Sequence, residues 1–77
     1  MKEFVEFIAK HLVDSPDNVS VTDVYPDDNT VELTLKVGPD DVGKVIGKQG
    51  KTAQAMRVLL TAVATKDGKR SILKILD

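Results

Sequence analysis

Cysteine is absent from the 77-residue chain and histidine occurs once, as His11. Neither a disulfide frame nor a thiolate metal site is possible, and one imidazole cannot build a histidine cluster, so no metal or cofactor is expected. Aromatic residues are almost as scarce. Phe4, Phe7 and Tyr25 are the only three, and no tryptophan accompanies them, so the second half of the chain has no ring on which a base could stack. Long apolar runs are missing too: Glu3 and Glu6 interrupt the apolar residues after Lys2, which spoils both a secretory leader and a membrane span. A cytoplasmic protein is the expectation. Low-complexity tracts and internal repeats are also lacking, and 42% apolar with 30% charged residues is an ordinary globular composition. A chain of this size makes one domain that buries only roughly 60% of its unfolded surface, so added burial through self-association would help it.

The net charge of -1 conceals a division along the chain. Residues 1–41 carry three basic and ten acidic side chains, a net of -7, whereas residues 42–77 carry eight basic and two acidic, a net of +6. Such a field speaks about partners rather than fold, and a basic half on a mildly acidic whole suits local binding of a polyanion.

Residues 3–13 place Phe4, Ile8 and Leu12 four apart, with Val5 and Phe7 beside them, as the apolar stripe of a helix. Asp14-Ser15-Pro16 ends it. Residues 19–25 are rich in valine, and residues 30–37 alternate strictly, with Val31, Leu33, Leu35 and Val37 on one face. Both predict strands, and the turn formers Pro26-Asp27-Asp28-Asn29 join them as an antiparallel hairpin with one dry face. Gly38-Pro39-Asp40-Asp41 predicts a helix start, its two carboxylates serving the positive end of the helix dipole. That short helix runs to Ile46 and stops at Gly47, a residue able to take the left-handed backbone. A longer helix runs from about Gly50 to about Thr65, Asp67-Gly68 turns the chain, and Ser71 to Leu76 forms a last strand. The order is α-β-β-α-α-β. Right-handed crossover makes the last strand parallel to the 30–37 strand, giving an α+β fold: a three-stranded mixed sheet with three helices on one face.

Residues 43–57, GKVIGKQGKTAQAMR, hold four basic side chains and no acidic one. Gly47-Lys48-Gln49-Gly50 forms the whole linker between the second and third helices. A helix start exposes unpaired N–H groups and a partial positive charge, and glycine lets a phosphate backbone come close. Lys44, Lys48 and Lys51 add charge around it. Gly43, one turn before Gly47, leaves room for something flat beside the apolar Val45 and Ile46. Each piece alone has an ordinary structural reading, as helix cap, packing contact or solvated lysine. Their coincidence on one helix-turn-helix points to nucleic acid.

Val45-Ile46-Gly47-Lys48-Gln49-Gly50, continued by Lys51-Thr52-Ala53, resembles the KH-domain signature V-I-G-x-x-G-x-x-I, and the element order is similar to the type II, bacterial form. The resemblance covers residues 1–77 as a single KH domain, and extends to the small stand-alone bacterial KH proteins of the KhpA kind. It implies a type II KH fold that holds about four nucleotides of single-stranded RNA, clamped at the GxxG turn. By position it implies phosphate contacts from Gly47, Lys48, Gln49, Gly50, Lys51 and Lys44. It also implies a base groove bordered by Gly43, Val45, Ile46, Ala53 and Arg57, with Ile72 to Lys74 as the opposite wall. Ala53 stands where the general signature has a bulky aliphatic residue, which implies a shallower groove floor and modest affinity. A post-transcriptional regulator or RNA chaperone is the role so implied, together with homodimers or pairing with a larger KH-containing RNA-binding partner.

Two other readings compete. Gly50-Lys51-Thr52 matches the tail of a nucleotide-binding P-loop, but that loop requires glycine where Val45 stands. Nor does any grouping of Ser, His and Asp support hydrolysis, so an enzyme is not expected. An interaction module is the stronger alternative. The 51–65 helix has an apolar arc of roughly 240° on its helical wheel, wider than one sheet needs to cover, so Val58 and Ala62 at its edge are expected to face a second copy or another subunit.

Overall fold

The computed structural model describes residues 1–76. Helix α1 spans Lys2–Leu12, β1 Ser20–Asp27, β2 Thr30–Lys36, α2 Val42–Ile46, α3 Lys51–Lys66 and β3 Arg70–Leu76, with single 3-10 turns at Pro16–Asn18, Pro39–Asp41 and Lys48–Gly50. Strand order is β1-β2-β3. β1 runs antiparallel to β2 with Val21 opposite Leu35, and β3 runs parallel to β2 with Leu73 opposite Leu33. This is the α-β-β-α-α-β arrangement of the type II KH fold, with α1, α2 and α3 packed against the sheet.

The alternation in β2 makes the core. Val31, Leu33, Leu35 and Val37 are buried, joined by Val21 from β1 and Leu73 from β3. Burying a side chain such as Leu33 stabilises the fold by about 2 kcal/mol. The residues of opposite parity, Thr22, Glu32, Thr34, Ile72 and Lys74, line the open face of the sheet, where Lys74 pairs with Glu32 at 3.1 Å. The hairpin register shifts between Val24 and Asp27, because Pro26 has no amide to give the ladder. At the same end of the sheet Arg70 donates its amide to the Asn29 carbonyl at 2.7 Å.

The helices meet the sheet in part as expected. In α1 the buried stripe is Val5 and Ala9, leading to Val13, with Ile8 half-buried against it, whereas the expected Phe4 and Leu12 lie outside it. The helix approaches the sheet with small side chains, so Phe4 and Leu12 are pushed to the rim and Phe7 into solvent. In α3 the sheet-facing stripe is narrow, Ala53, Met56, Leu60 and Ala64, leaving much of the apolar arc uncovered. Asp41, finally, stands at the start of α2 but makes no side-chain cap bond to that helix. Its buried carboxylate accepts the amides of Asp14 at 3.3 Å and Ser15 at 3.1 Å, fastening the segment after α1 to the start of α2.

Candidate nucleic-acid interface

α2 is only five residues long, so little intrinsic helicity holds it. Tertiary contacts do. Val45 is fully buried, and Lys44 is bound to Asp14 and stands 3.5 Å from Asp41 Oδ1. Burial pushes the Asp41 carboxyl up, but the two amide bonds and the Lys44 charge outweigh that and hold it below the usual carboxylate value. The bond to Asp14, with both carboxylate charges, keeps the Lys44 ammonium proton more tightly than an isolated lysine would. Lys44 is therefore engaged within the fold, by Asp14 thirty residues earlier and by Asp41 one helical turn away.

Beyond α2 the backbone turns through conformations that favour glycine. Gly47 has φ 78° and ψ 172°, a positive-φ extended conformation rather than the left-handed helical one. Its amide still closes α2 by donating to the Gly43 carbonyl at 2.9 Å. A methyl group at Gly47 would overlap Thr52 Oγ1 and stand 2.6 Å from Thr52 Cβ and 2.8 Å from its amide nitrogen. Gln49, at φ 58° and ψ 26°, is the one non-glycine residue with positive φ among the described residues, and Gly50 follows at φ 73° and ψ 12°. A helical residue followed by a left-handed one turns successive N–H groups toward a common point, a concavity suited to an anion. Among the described residues, the amides of Lys48 and Gln49 have no hydrogen-bond partner.

Lys48 and Gln49 are exposed, Gly47 and Gly50 half-buried, and no atom lies within 4 Å of the Cβ position at Gly50 or Gly43. The turn projects into solvent and away from any acidic wall: among the described residues no ion pair occupies Lys48 or Lys51. Gly43 and Ile46 are exposed on α2, and both α2 and α3 pack beside β3. β3 is an edge strand, and Arg57 on α3 reaches that edge, its Nη2 donating to the Leu73 carbonyl at 3.3 Å. Gly43, Ile46, Arg57 and the edge of β3 thus border one open strip leading from the turn.

Other expected groove residues lie elsewhere. Val45 and Ala53 are buried and can only support the strip from beneath. Ile72 and Lys74 belong to the open face of the sheet, the parity opposite to Leu73, with Lys74 engaged by Glu32. The strand's contribution to the strip is its backbone edge. Thr52, against which Gly47 must fit, and the Asp14–Asp41–Lys44 cluster were not legible as parts of the site. The sequence places no constraint on a glycine's neighbour, nor on a pairing across such a separation.

On α3, Ala55, Val58, Leu59, Ala62 and Val63 are exposed, Val58 by 59%. They form a second apolar face turned away from the sheet.

The family described as KhpA/KhpB, KH domain, matches residues 2–75. The RNA-binding protein KhpA of Halalkalibacterium halodurans is 51% identical over 77 residues, covering 100% of both chains. That of Clostridium perfringens is 49% identical over 76 residues, 99% of this chain and 100% of the relative, and that of Chlamydia trachomatis 43% identical over 77 residues, 100% of this chain and 97% of the relative. No solved structure shows a significant match. With its turn mounted on α2 and α3 in the type II arrangement, and with relatives matching from end to end, the chain belongs to the KhpA/KhpB family of KH-domain proteins.

Proposed function

We propose that this chain binds single-stranded RNA, with Gly47, Lys48, Gln49, Gly50 and Lys51 holding the phosphate backbone and bases lying along the strip bordered by Gly43, Ile46, Arg57 and the β3 edge. The observation that carries this is the pair of partnerless amides at the exposed Lys48 and Gln49, beside the unpaired side chains of Lys48 and Lys51. The relatives named RNA-binding proteins support it. With no aromatic ring after Tyr25, affinity rests on charge and aliphatic contact; about three phosphate contacts give a log-affinity against log-salt slope of about -2. A post-transcriptional regulator or RNA chaperone working in the cytoplasm fits a module that grips backbone more firmly than it reads bases. The test is Lys48→Asp with Gln49→Asp, which sets two carboxylates at the phosphate position and leaves both glycines. RNA anisotropy titrations should show binding lost with the melting temperature unchanged; undiminished binding would refute the assignment.

A second role is carried by the exposed apolar face of α3. That face suits pairing with a second copy or with another KH-domain RNA-binding protein, Val58 and Ala62 lying in it. Val58→Asp should reduce the mass measured by sedimentation without unfolding the chain. An unaltered mass that was already dimeric would move the interface elsewhere.

A further inference from the structure

None of the aromatic residues enters the core. Phe4 is 37% exposed, Phe7 64% and Tyr25 58%, although this small domain builds its interior from valine, leucine, alanine and methionine. Two of the rings stand on α1 and the third on β1. Phe4 and Phe7 lie a turn apart on α1, and Phe7 lies against His11 with centroids 4.4 Å apart and the ring planes tilted by 46°. His11 Nδ1 is 2.8 Å from the Phe7 carbonyl oxygen. α1 packs on β1, and Tyr25 sits on β1 with its hydroxyl donating to Asp23 Oδ2 at 3.2 Å. That hydrogen bond, helped by the charge of Asp23, raises the phenol's pKa.

The charge around these rings is opposite to that of the RNA-facing turn. The two elements that bear the rings hold Glu3, Glu6, Asp23 and Asp27 against Lys2 and Lys10, a net of -2; Glu6 takes up Lys10 at 3.0 Å and Glu3 stands 3.9 Å from the terminal ammonium. An RNA backbone would be repelled here, so these rings do not continue the nucleic-acid path. A cation is welcome, and the molecule supplies its own instance: Lys69 Nζ lies 5.5 Å from the centre of the Tyr25 ring. Exposed aromatics beside carboxylates suit arginine, whose guanidinium stacks on a ring while pairing with an acid. We infer that the α1–β1 surface, anchored by Phe4, Phe7 and Tyr25, docks a basic, arginine-bearing segment of a protein partner while the opposite half of the chain faces RNA.

This inference stands independently of the turn at residues 47–50. The test is a titration of the full 15N-labelled chain with a short synthetic arginine-rich peptide, read by amide chemical shifts. The shifts should concentrate in α1 and β1, and Phe7→Ser should weaken the peptide by about tenfold, the size of an interface anchor. Melting temperature and RNA affinity should stay as in the wild type, because Phe7 is exposed and lies outside the proposed RNA site. Glu3→Lys should weaken the peptide as well. Shifts confined to other elements, or equal affinity for Phe7→Ser, would overturn the proposal. So would an oligouridine RNA shifting these amides in place of the peptide, since the surface would then be a nucleic-acid platform. Loss of self-association in Phe7→Ser without any change in peptide binding would assign the surface to a second copy and reject it equally.

Discussion

α2 and the turn that follows it are built from the same few residue types and are put to opposite uses. In α2, Lys44 is bound by Asp14 and Asp41 and Val45 is sealed in the core. In the turn, Lys48 is exposed and unpaired among the described residues, and the amides of Lys48 and Gln49 are left without a partner. The glycines divide likewise: Gly47 fits against Thr52 with no room for a methyl group, whereas Gly50 has open space around it. One segment is a mount and the next is the proposed grip. A signature that spans both cannot be read as a uniform row of ligand contacts.

The largest effect should separate the two glycines. Gly47→Ala forces a side chain into a conformation that costs about 1–3 kcal/mol and into overlap with Thr52, whose backbone nitrogen cannot move freely; overpacking adds about another 1–3 kcal/mol. Gly50→Ala meets only the left-handed penalty of about 1–2 kcal/mol. Urea denaturation should therefore show Gly47→Ala to be much the more destabilised, while Gly50→Ala stays folded and loses RNA affinity because the methyl group stands where the backbone would approach. Equal losses of stability would erase the distinction between mount and grip at these two positions.

The two lysines sharpen the comparison at smaller scale. Lys48→Ala should weaken RNA binding roughly fivefold, as befits one exposed charge contact, and should flatten the salt slope by about 0.7, with unfolding unchanged. Lys44→Ala should do the reverse: the melting temperature falls by a few degrees, since Asp41 keeps its buried charge without its cation, and the salt slope is retained. A flattened slope in Lys44→Ala would show that this ammonium reaches phosphate after all.

The glycine-bracketed turn was legible in sequence and the mount was not. The alternation in β2, the hairpin and the glycine-bracketed turn are local patterns, and each was realised because one periodicity or one backbone requirement dictates it. Lys44 and Asp41 take partners 30 and 26–27 residues away, and no local pattern reports such a pairing. α1 shows a different kind of failure. Phe4, Ile8 and Leu12 share a stripe, but so do Val5 and Ala9, and periodicity cannot say which one the sheet admits. The close approach of helix to sheet selects the smaller side chains. In α3 the apolar arc was correctly seen as too wide, because four residues suffice to meet the sheet.

Acid should loosen the mount by the smallest and most specific of these effects. Burial disfavours the ionised Asp41 carboxyl, but the amides of Asp14 and Ser15 and the Lys44 ammonium more than compensate, so its pKa in the folded chain lies below the unfolded value. A group depressed in this way stabilises the fold above its unfolded pKa of about 4 and loses that contribution as pH falls through its folded pKa. Asp41→Asn removes the titration. The variant should be less stable than wild type at neutral pH, and the gap should narrow as the solution is taken below about pH 4. Asp27 is also depressed, by the Asn29 amide and then the Thr30 hydroxyl, and it remains in both chains, so the acid limb flattens in the variant without vanishing. The salt slope of RNA binding at neutral pH should be unchanged, because no phosphate contact is lost. A gap that stayed constant down to pH 3 would mean that Asp41 holds α2 through its shape and hydrogen bonds, with its charge contributing nothing.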